Sequence, residues 1–395
     1  MALRTALGLG KNAFEIGGIR APWLLARYGK LALLHRMADA FNVTVAPRPL
    51  EPSSDAPSGG DADIIVPVYD NYDDTAALLE ALRGEAPGQR SIILIDDCSP
   101  DPRIVPLLER FAAEVPNAVL LKNDSNLGFV ASCNRGFEQA TGDVVLLNTD
   151  IELPSGALSR LLARLRSDDD IASVTPFSNS AYGAGVPDPI RSNPRPFGAS
   201  TDEIDRAFQS LAGFASIDIP RGVGFCMAIS RKALDEVGTF SPVFGKGYGE
   251  EADLCRRAAA FGYRNIVAPD VYVFHKEGQS FGDLSKPRAR EGLMLFLDRH
   301  PSYPPAQESY LRAGDIRAAG FMGLVALARS LGGVEDGSDS EDAPKISINK
   351  RKRHKGYRLG LRYRDEAYFC FVEDAEIAKL VLQAAGVPVQ DGFLE

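Results

Sequence analysis

The sequence is poor in the residues that staple small folds together. Its 395 residues hold five cysteines (Cys98, Cys133, Cys226, Cys255 and Cys370), an odd number without any C-x-x-C spacing, so zinc sites and a disulfide framework are excluded and reduced, buried thiols are expected. Histidine is scarce, with four. No apolar run approaches the roughly 18 residues that span a bilayer, and no small-residue cleavage site follows a clean apolar core, so neither a transmembrane helix nor a secretory leader is expected. Positive charge is in deficit: 44 Lys and Arg against 53 Asp and Glu leave −9. That balance excludes a nucleic-acid partner for the body of the chain, because phosphate backbones demand clustered cations. No G-x-G-x-x-G follows the first strand, no Gly-Lys-Ser/Thr loop occurs, and there is no internal repeat.

What is present is alternation. With 45% hydrophobic and 25% charged residues the chain can bury one large core or two smaller ones. Residues 63–68 (DIIVPV), 91–95 (SIILI), 117–121 (NAVLL) and 143–147 (DVVLL) are apolar runs of strand length. Helix-like segments at 75–83, 104–114 and 130–140 lie between them. Strand and helix in alternation predict an α/β fold, a mostly parallel sheet with right-handed crossovers flanked by helices.

Several strand ends carry chemistry. The run 143–147 stops abruptly at Asn148, Thr149, Asp150 and Glu152, and in open α/β sheets ligands bind at that edge. A hard divalent cation, Mn or Mg, held by one or two carboxylates and completed by a substrate's phosphates, is one use of such a cluster; a polar turn before the helix after Pro154 is the other. The first strand runs into Pro67, Val68, Tyr69, Asp70 and Asn71, and the second into Asp96, Asp97, Cys98 and Ser99. Together these suit a base- and ribose-binding slot, with Tyr69 as a flat wall and a carboxylate accepting from a nucleobase N–H. Asn126-Leu127-Gly128 opens a helix with Asn134 eight residues on, and Asn126 as its N-cap would aim free N–H groups at a phosphate. The glycines of 244–249 (FGKGYG) read as a mobile loop. In 248–261 (YGEEADLCRRAAAF), Glu250, Glu251 and Asp253 fall in the first turn of a helix whose buried stripe is Leu254, Ala258 and Phe261. Residues 271–275 (VYVFH) form another strand ending in a polar group, His275.

The two ends of the chain differ from the middle. Residues 1–48 hold seven Lys or Arg against two acids, about +5. Within this arm, 23–41 can form an amphipathic helix, suited equally to an anionic membrane surface and to packing on its own domain or a partner. Residues 49–62 read as a linker. A helical stretch at 307–331, an acidic Gly/Ser linker at 332–344, a basic run at 345–355, a hairpin of 357–363 with 367–372 and a helix at 374–385 make a small α+β C-terminal appendage. The division is therefore 1–60 (basic helical N-terminal arm and linker), 61–300 (catalytic domain), 301–333 (helical extension), 334–345 (acidic linker) and 346–395 (appendage).

Taken together, DIIVPVYDN at 63–71, the Asp96-Asp97-x-Ser turn, Asn126-Leu127-Gly128, Asn148-Thr149-Asp150 and GEEADL at 249–254 resemble, in order and spacing, a family 2 glycosyltransferase of the GT-A fold. The resemblance covers about residues 63–300 and includes rhamnosyltransferase-like enzymes of bacterial cell-surface polysaccharides. It implies a nucleotide-diphospho-sugar transferase: transfer of a hexosyl or deoxyhexosyl group, with inversion, to a hydroxyl of a glycan or lipid-linked acceptor. It also implies a divalent metal on Asp150 and His275, and Glu251 as general base with Glu250 and Asp253 beside it. The nucleotide-sugar would meet Pro67, Val68, Tyr69, Asp70, Asp96, Asp97, Asn126, Gly128, Asn134, Asn148 and Thr149. The family's D-x-D pattern here begins with Asn148, and the base is Glu where the family usually has Asp. On this reading the strand at 222–227 lines the acceptor side, the aperiodic stretch 177–196 is an acceptor loop, and the protein is cytoplasmic, peripheral at the inner face of the plasma membrane if the arm binds lipid. The competing class is a catalytically silent GT-A-like binding subunit of a polysaccharide-assembly complex. A nucleotidyltransferase would need a Gly-rich basic loop after the first strand, where this chain has YDNYDD.

Overall fold

The computed structural model describes residues 62–85, 91–276, 287–333, 343–350, 356–373 and 375–384. The expected arm helix, most of both linkers and residues 351–355 of the basic run lie outside the described residues. The main sheet is built from β1 (Ala62–Val68), β2 (Ile92–Asp96), β3 (Ala118–Lys122), β4 (Asp143–Leu147), β6 (Ile171–Phe177), β7 (Ile217–Asp218), β8 (Cys226–Ile229) and β9 (Arg264–Tyr272), in the order β3-β2-β1-β4-β8-β6-β9-β7. Only β8 and β7 run against the rest. The mostly parallel α/β sheet is thus as expected, and the first four strands fall within one residue of the apolar runs.

Burial explains why those runs lack alternation. On β1, Ile64, Val66 and Val68 pack on one side with α1 (Tyr72–Glu85) and α2 (Ile104–Glu114), while Ile65 packs on the other with α3 (Phe129–Gln139). Both faces are covered, so positions 64–68 are apolar throughout. On the first face, α4 (Ala157–Leu165) and α5 (Thr201–Gln209) continue the layer. On the second, α6 (Arg231–Val237), α7 (Glu250–Ala260) and α8 (Pro287–Arg299) follow.

A second sheet of two residues per strand matters more than its size suggests. Here β5 (Ile151–Glu152) pairs antiparallel with β10 (Phe274–His275), His275 opposite Ile151 and Phe274 opposite Glu152. The expected strand at 271–275 is therefore broken: β9 ends at Tyr272, and the chain re-pairs at Phe274 with a different partner.

Other boundaries also shift. The stretch 307–331 is two helices, α9 (Tyr303–Ala313) and α10 (Asp315–Leu331), because Gly314 takes the left-handed region at φ 88°. Most of α10 is buried against α5, so it is part of the core. Residues 222–225 are not strand; β8 starts at Cys226. Phe261 closes α7 but is 63% exposed, leaving Leu254, Ala258 and Cys255 as its buried positions. Cys98 is exposed, whereas the other four thiols are buried, and all five are free. The appendage is an antiparallel sheet of β11 (Lys345–Lys350), β12 (Tyr357–Tyr363) and β13 (Glu366–Val372), with α11 (Ala375–Ala384) packed on α10.

A buried ion pair ties α4 to the end of β9. Arg164 Nε donates to Asp270 Oδ1 at 2.9 Å, and its two terminal nitrogens donate to the carbonyls of Phe214 and Ala212. Replacing Arg164 with Leu strands a buried carboxylate and two carbonyls, so a loss of about 3–5 kcal/mol is expected. Urea unfolding measures it as a lower midpoint at unchanged slope. A loss below about 1 kcal/mol would show that Asp270 does not depend on this partner.

Candidate active site

The site grows from the carboxyl end of β4. Asn148 N–H donates to the Phe225 carbonyl at 2.8 Å, tying this end to the start of β8. Two residues on, Asp150 enters β5, and the pairing with β10 brings His275 alongside it. Lys276 N–H donates to the Asp150 carbonyl at 2.8 Å, and His275 Nε2 lies 3.2 Å from Asp150 Oδ2. The imidazole is held on every other side. Its backbone exchanges hydrogen bonds with the Asn179 side chain (2.8 and 2.9 Å), Nδ1 faces the Ser180 carbonyl at 3.3 Å, and the ring stacks on Phe225 at 5.0 Å between centroids. With Nδ1 turned to a carbonyl, Nε2 is the ring nitrogen left facing Asp150. Burial would raise the Asp150 carboxyl, but His275 and Lys276 outweigh it and hold it below its usual range.

The second component is the start of α7. Gly249 caps the helix at φ 113°, and the loop before it is docked, not free. Phe129 N–H donates to the Lys246 carbonyl at 3.3 Å and Lys246 Nζ to Asn126 Oδ1 at 2.6 Å. Gly128 has φ 92°, and a Cβ there would meet Lys246 Cα at 2.6 Å, so only glycine fits this crossing. Glu250 and Glu251 are 4% and 5% exposed. Burial pushes the Glu250 carboxyl well above the usual range and the charge of Glu251 adds to the push; burial also raises Glu251, where Arg221 and helix amides oppose it. The two acids are thereby driven apart.

These components meet in a cavity of about 270 Å³ whose wall includes Asn148, His275, Glu250 and Glu251. Three buried polar atoms on that wall make no hydrogen bond: Asn148 Oδ1, Glu250 Oε2 and His275 Nε2, the last in ion-pair reach of Asp150 but misaligned for a hydrogen bond. Such orphaned groups call for a ligand. The Asp150–His275 separation suits a shared divalent cation, since two ligands at ~2.1–2.2 Å and right angles lie about 3 Å apart. No cluster of three or more His, Cys, Asp or Glu able to hold a metal occurs among the described residues, so two protein ligands fit only a cation that phosphates complete.

Other expected site residues have different work. Asp97 accepts from Leu127 N–H, Gly128 N–H and Asn123 Nδ2, each at 2.8 Å. It occupies the N–H groups expected to face a phosphate, and the N-cap is Gly128 instead of Asn126. Asn134 is bonded both ways to the Phe240 backbone, at 2.9 and 3.0 Å, and pins a loop. The Val68 side chain is in the core. Asp253 accepts from Arg257, Arg299 and His300 at 2.8–2.9 Å; burial raises its carboxyl, but these donors pull it down to about 2, so it clamps α7 to the end of α8. Tyr69 (53% exposed), Asp70 and Asp96 stay at the strand ends: Asp70 N–H donates to Ser99 Oγ and Ser99 N–H to Asp96 Oδ1, both at 3.1 Å. Thr149 is half-buried between Asn148 and Asp150. Sequence reasoning named no individual site residue among Phe129, Tyr182, Arg191, Phe225, Lys246 and Tyr248, all of which line the cavity. The only signal for them was the two glycine-rich stretches and the aperiodic loop.

The acid pair predicts a pH signature. A carboxyl raised by folding imposes no cost below its unfolded value near 4.5, and a growing one as pH rises toward its folded value. Glu250→Gln is therefore expected to raise the melting temperature at pH 7–8 by roughly 2–4 °C, with the gain vanishing near pH 4. A gain independent of pH would mean that packing, not charge, is responsible.

Residues 63–238 match the sequence model of Glycosyl transferase family 2. An undecaprenyl-phosphate 4-deoxy-4-formamido-L-arabinose transferase of Klebsiella pneumoniae subsp. pneumoniae is 30% identical over 115 residues, 28% of this chain and 35% of that protein. A protein of the same name from Pseudomonas fluorescens is 36% identical over 118 residues, 28% and 34% of the two chains. The chain thus spans about a third of the length of these curated relatives. A mannosyltransferase from Pyrobaculum calidifontis, solved with GDP-Man and Mn2+, superposes with TM-score 0.48 at 18% identity, over 84% of this chain and 88% of that one. The order of the motifs and the sheet that carries them agree with the glycosyl transferase family 2 match over residues 63–238.

Proposed function

We propose that this protein is an inverting, divalent-metal-assisted glycosyltransferase. It moves a sugar from a nucleotide diphosphate-sugar to a hydroxyl of a glycan or lipid-linked acceptor in cell-surface polysaccharide synthesis. The observation that carries the reading is the convergence of two unlike groups on the wall of one cavity, His275, which lies beside Asp150, and the acid pair Glu250–Glu251. The names of the two bacterial relatives contain undecaprenyl-phosphate, which supports the lipid-linked acceptor.

The chemistry follows from the charges. Asp150 and His275 would hold the cation, which when bound neutralises the negative charge on the departing diphosphate. Asn148 Oδ1 and the half-buried Thr149 are placed to accept from and orient the donor. Glu251, the member of the pair kept more acidic by Arg221, takes the proton of the acceptor hydroxyl as its oxygen attacks the anomeric carbon. The C–O bond to the diphosphate breaks on the opposite face, and the diphosphate leaves with the bonding electrons. Glu250, the stronger proton holder, donates a hydrogen bond instead of acting as a second base. Tyr69, Asp70 and Asp96 at the ends of β1 and β2 flank the nucleoside. No helix among the described residues is long and apolar enough to cross a membrane; on this reading the basic arm, residues 1–48, reaches the anionic surface where a lipid-linked acceptor resides.

Two measurements test the assignment. In a thermal-shift screen, nucleotide diphosphates and nucleotide-sugars should raise the melting temperature only with manganese or magnesium present, and Asp150→Ala should abolish that dependence. Equal stabilisation in excess chelator would sink the metal assignment. Once a donor is found, Glu251→Gln should lower turnover by on the order of 10²-fold or more while donor affinity survives. Glu250→Gln should cost less. Wild-type turnover in Glu251→Gln would move the base to another residue.

A further inference from the structure

One buried cation stands behind the cavity wall. Arg221 is 2% exposed, and its guanidinium carbon lies 4.8 Å from the ring centroid of Tyr182 and 5.9 Å from that of Tyr303. The backbone after it is pinned residue by residue. Gly222 N–H donates to Cys255 Sγ at 3.1 Å and Val223 N–H to Thr175 Oγ1 at 3.2 Å. Gly224 runs so close to α7 that a Cβ there would touch Glu251 Cβ at 3.6 Å. The turn that carries Arg221 is therefore fitted to the first turn of α7, and Tyr182, which the guanidinium covers, lines the same cavity as Glu251.

We propose that Arg221 is a positioning residue for Glu251: clamped between two tyrosine rings, it is the counter-charge that turns this carboxylate, and not Glu250, toward the acceptor. A guanidinium this deeply buried needs an anion, and a buried acid pair needs one cation if either member is to ionise. Arg221 acts on Glu251, whereas Glu250 feels chiefly burial and its neighbour's charge. The remaining titratable or charged groups about the pair are Cys255 on α7, Cys133 on α3, and Tyr182, Arg191, Lys246, Tyr248 and His275 on the cavity wall. Arg191 is exposed and lies 3.7 Å from Asp188, so Arg221 is the buried guanidinium at the pair. The proposal rests on the reading of Glu251 as the base.

The test is a double-mutant cycle with two readouts. In thermal unfolding at pH 7.5, Arg221→Met should lower the melting temperature, and Arg221→Met combined with Glu251→Gln should recover most of that loss, because removing both charges leaves neither stranded. This arm needs no activity. In the transfer assay, Arg221→Met should cut kcat about tenfold or more with the KM for the nucleotide-sugar within about twofold, and move the acid limb of the rate profile up by about one pH unit. Arg221→Lys, which keeps the charge, should return the limb toward its original place; Arg221→Gln, which removes it, carries the cycle if Arg221→Met does not fold. Additive melting shifts, or a lower kcat on an unmoved pH profile, would reduce Arg221 to a packing residue and overturn the proposal. Melting shifts that couple in a protein that transfers no sugar would keep the Arg221–Glu251 pairing and defeat the glycosyltransferase reading instead.

Discussion

Four residues of backbone pairing, Ile151–Glu152 against Phe274–His275, hold the site together. Asp150 and His275 are 125 residues apart in the chain, and neither strand of the main sheet that precedes them brings them into contact. β9 ends deep in the core at Tyr272, and only by crossing over to β5 does the chain set His275 beside Asp150. Asn179 then locks the histidine backbone from the far side with two hydrogen bonds. Short ribbons are marginal alone. This one is stable because Ile151 and His275 are themselves buried, so the ribbon is an outlying flap of the core, and its ladder sets His275, which lines the cavity, beside Asp150.

The acid pair obeys the opposite logic. A helix N-terminus favours carboxylates, yet burial disfavours their charge, and at Glu250 and Glu251 burial wins. Asp253, two residues further along the same helix, shows what a fully compensated acid looks like: three cationic or imidazole donors hold it ionised and anchor α7 to α8. One turn of helix thus holds a structural acid with more partners than it needs and two chemical acids with too few. Uncompensated burial is how a protein keeps a carboxyl poised near neutral pH.

The sheet was readable in the sequence because its central strands are buried on both faces and their inner positions are apolar, as in residues 144–147. The candidate metal ligands and the acid pair were readable because each follows directly on such a run or opens a helix. Two kinds of feature were not. Asp96 and Asp97 look alike as letters, but Asp97 accepts from Asn123, Leu127 and Gly128 ahead of α3 while Asp96 turns to Ser99, a difference made by a loop more than 25 residues downstream. Arg221, Tyr182 and Lys246 sit in irregular stretches without periodicity, and their convergence depends on close glycine crossings at Gly128 and Gly224 that no local pattern announces. Phe261 failed for the reverse reason: it continues the apolar period of α7 one step past the point where the helix leaves the core.

Asn148 sets the charge balance of the cavity. Where the resembled family pattern has a carboxylate, this chain has an amide whose Oδ1 is buried without a hydrogen bond. An amide keeps the acceptor oxygen but removes one negative charge, so Asp150 is the single anion on that side, already offset by Lys276 and facing the imidazole of His275. Such a pair has little negative charge left with which to hold a divalent cation alone. On the proposed reading that deficit would be met when a diphosphate arrives with its own charge, which would couple the occupancy of cation and donor. Burial raises the Glu251 carboxyl and Arg221, not that cation, opposes it, so on the same reading the proton acceptor and the leaving-group side would draw on separate counter-charges.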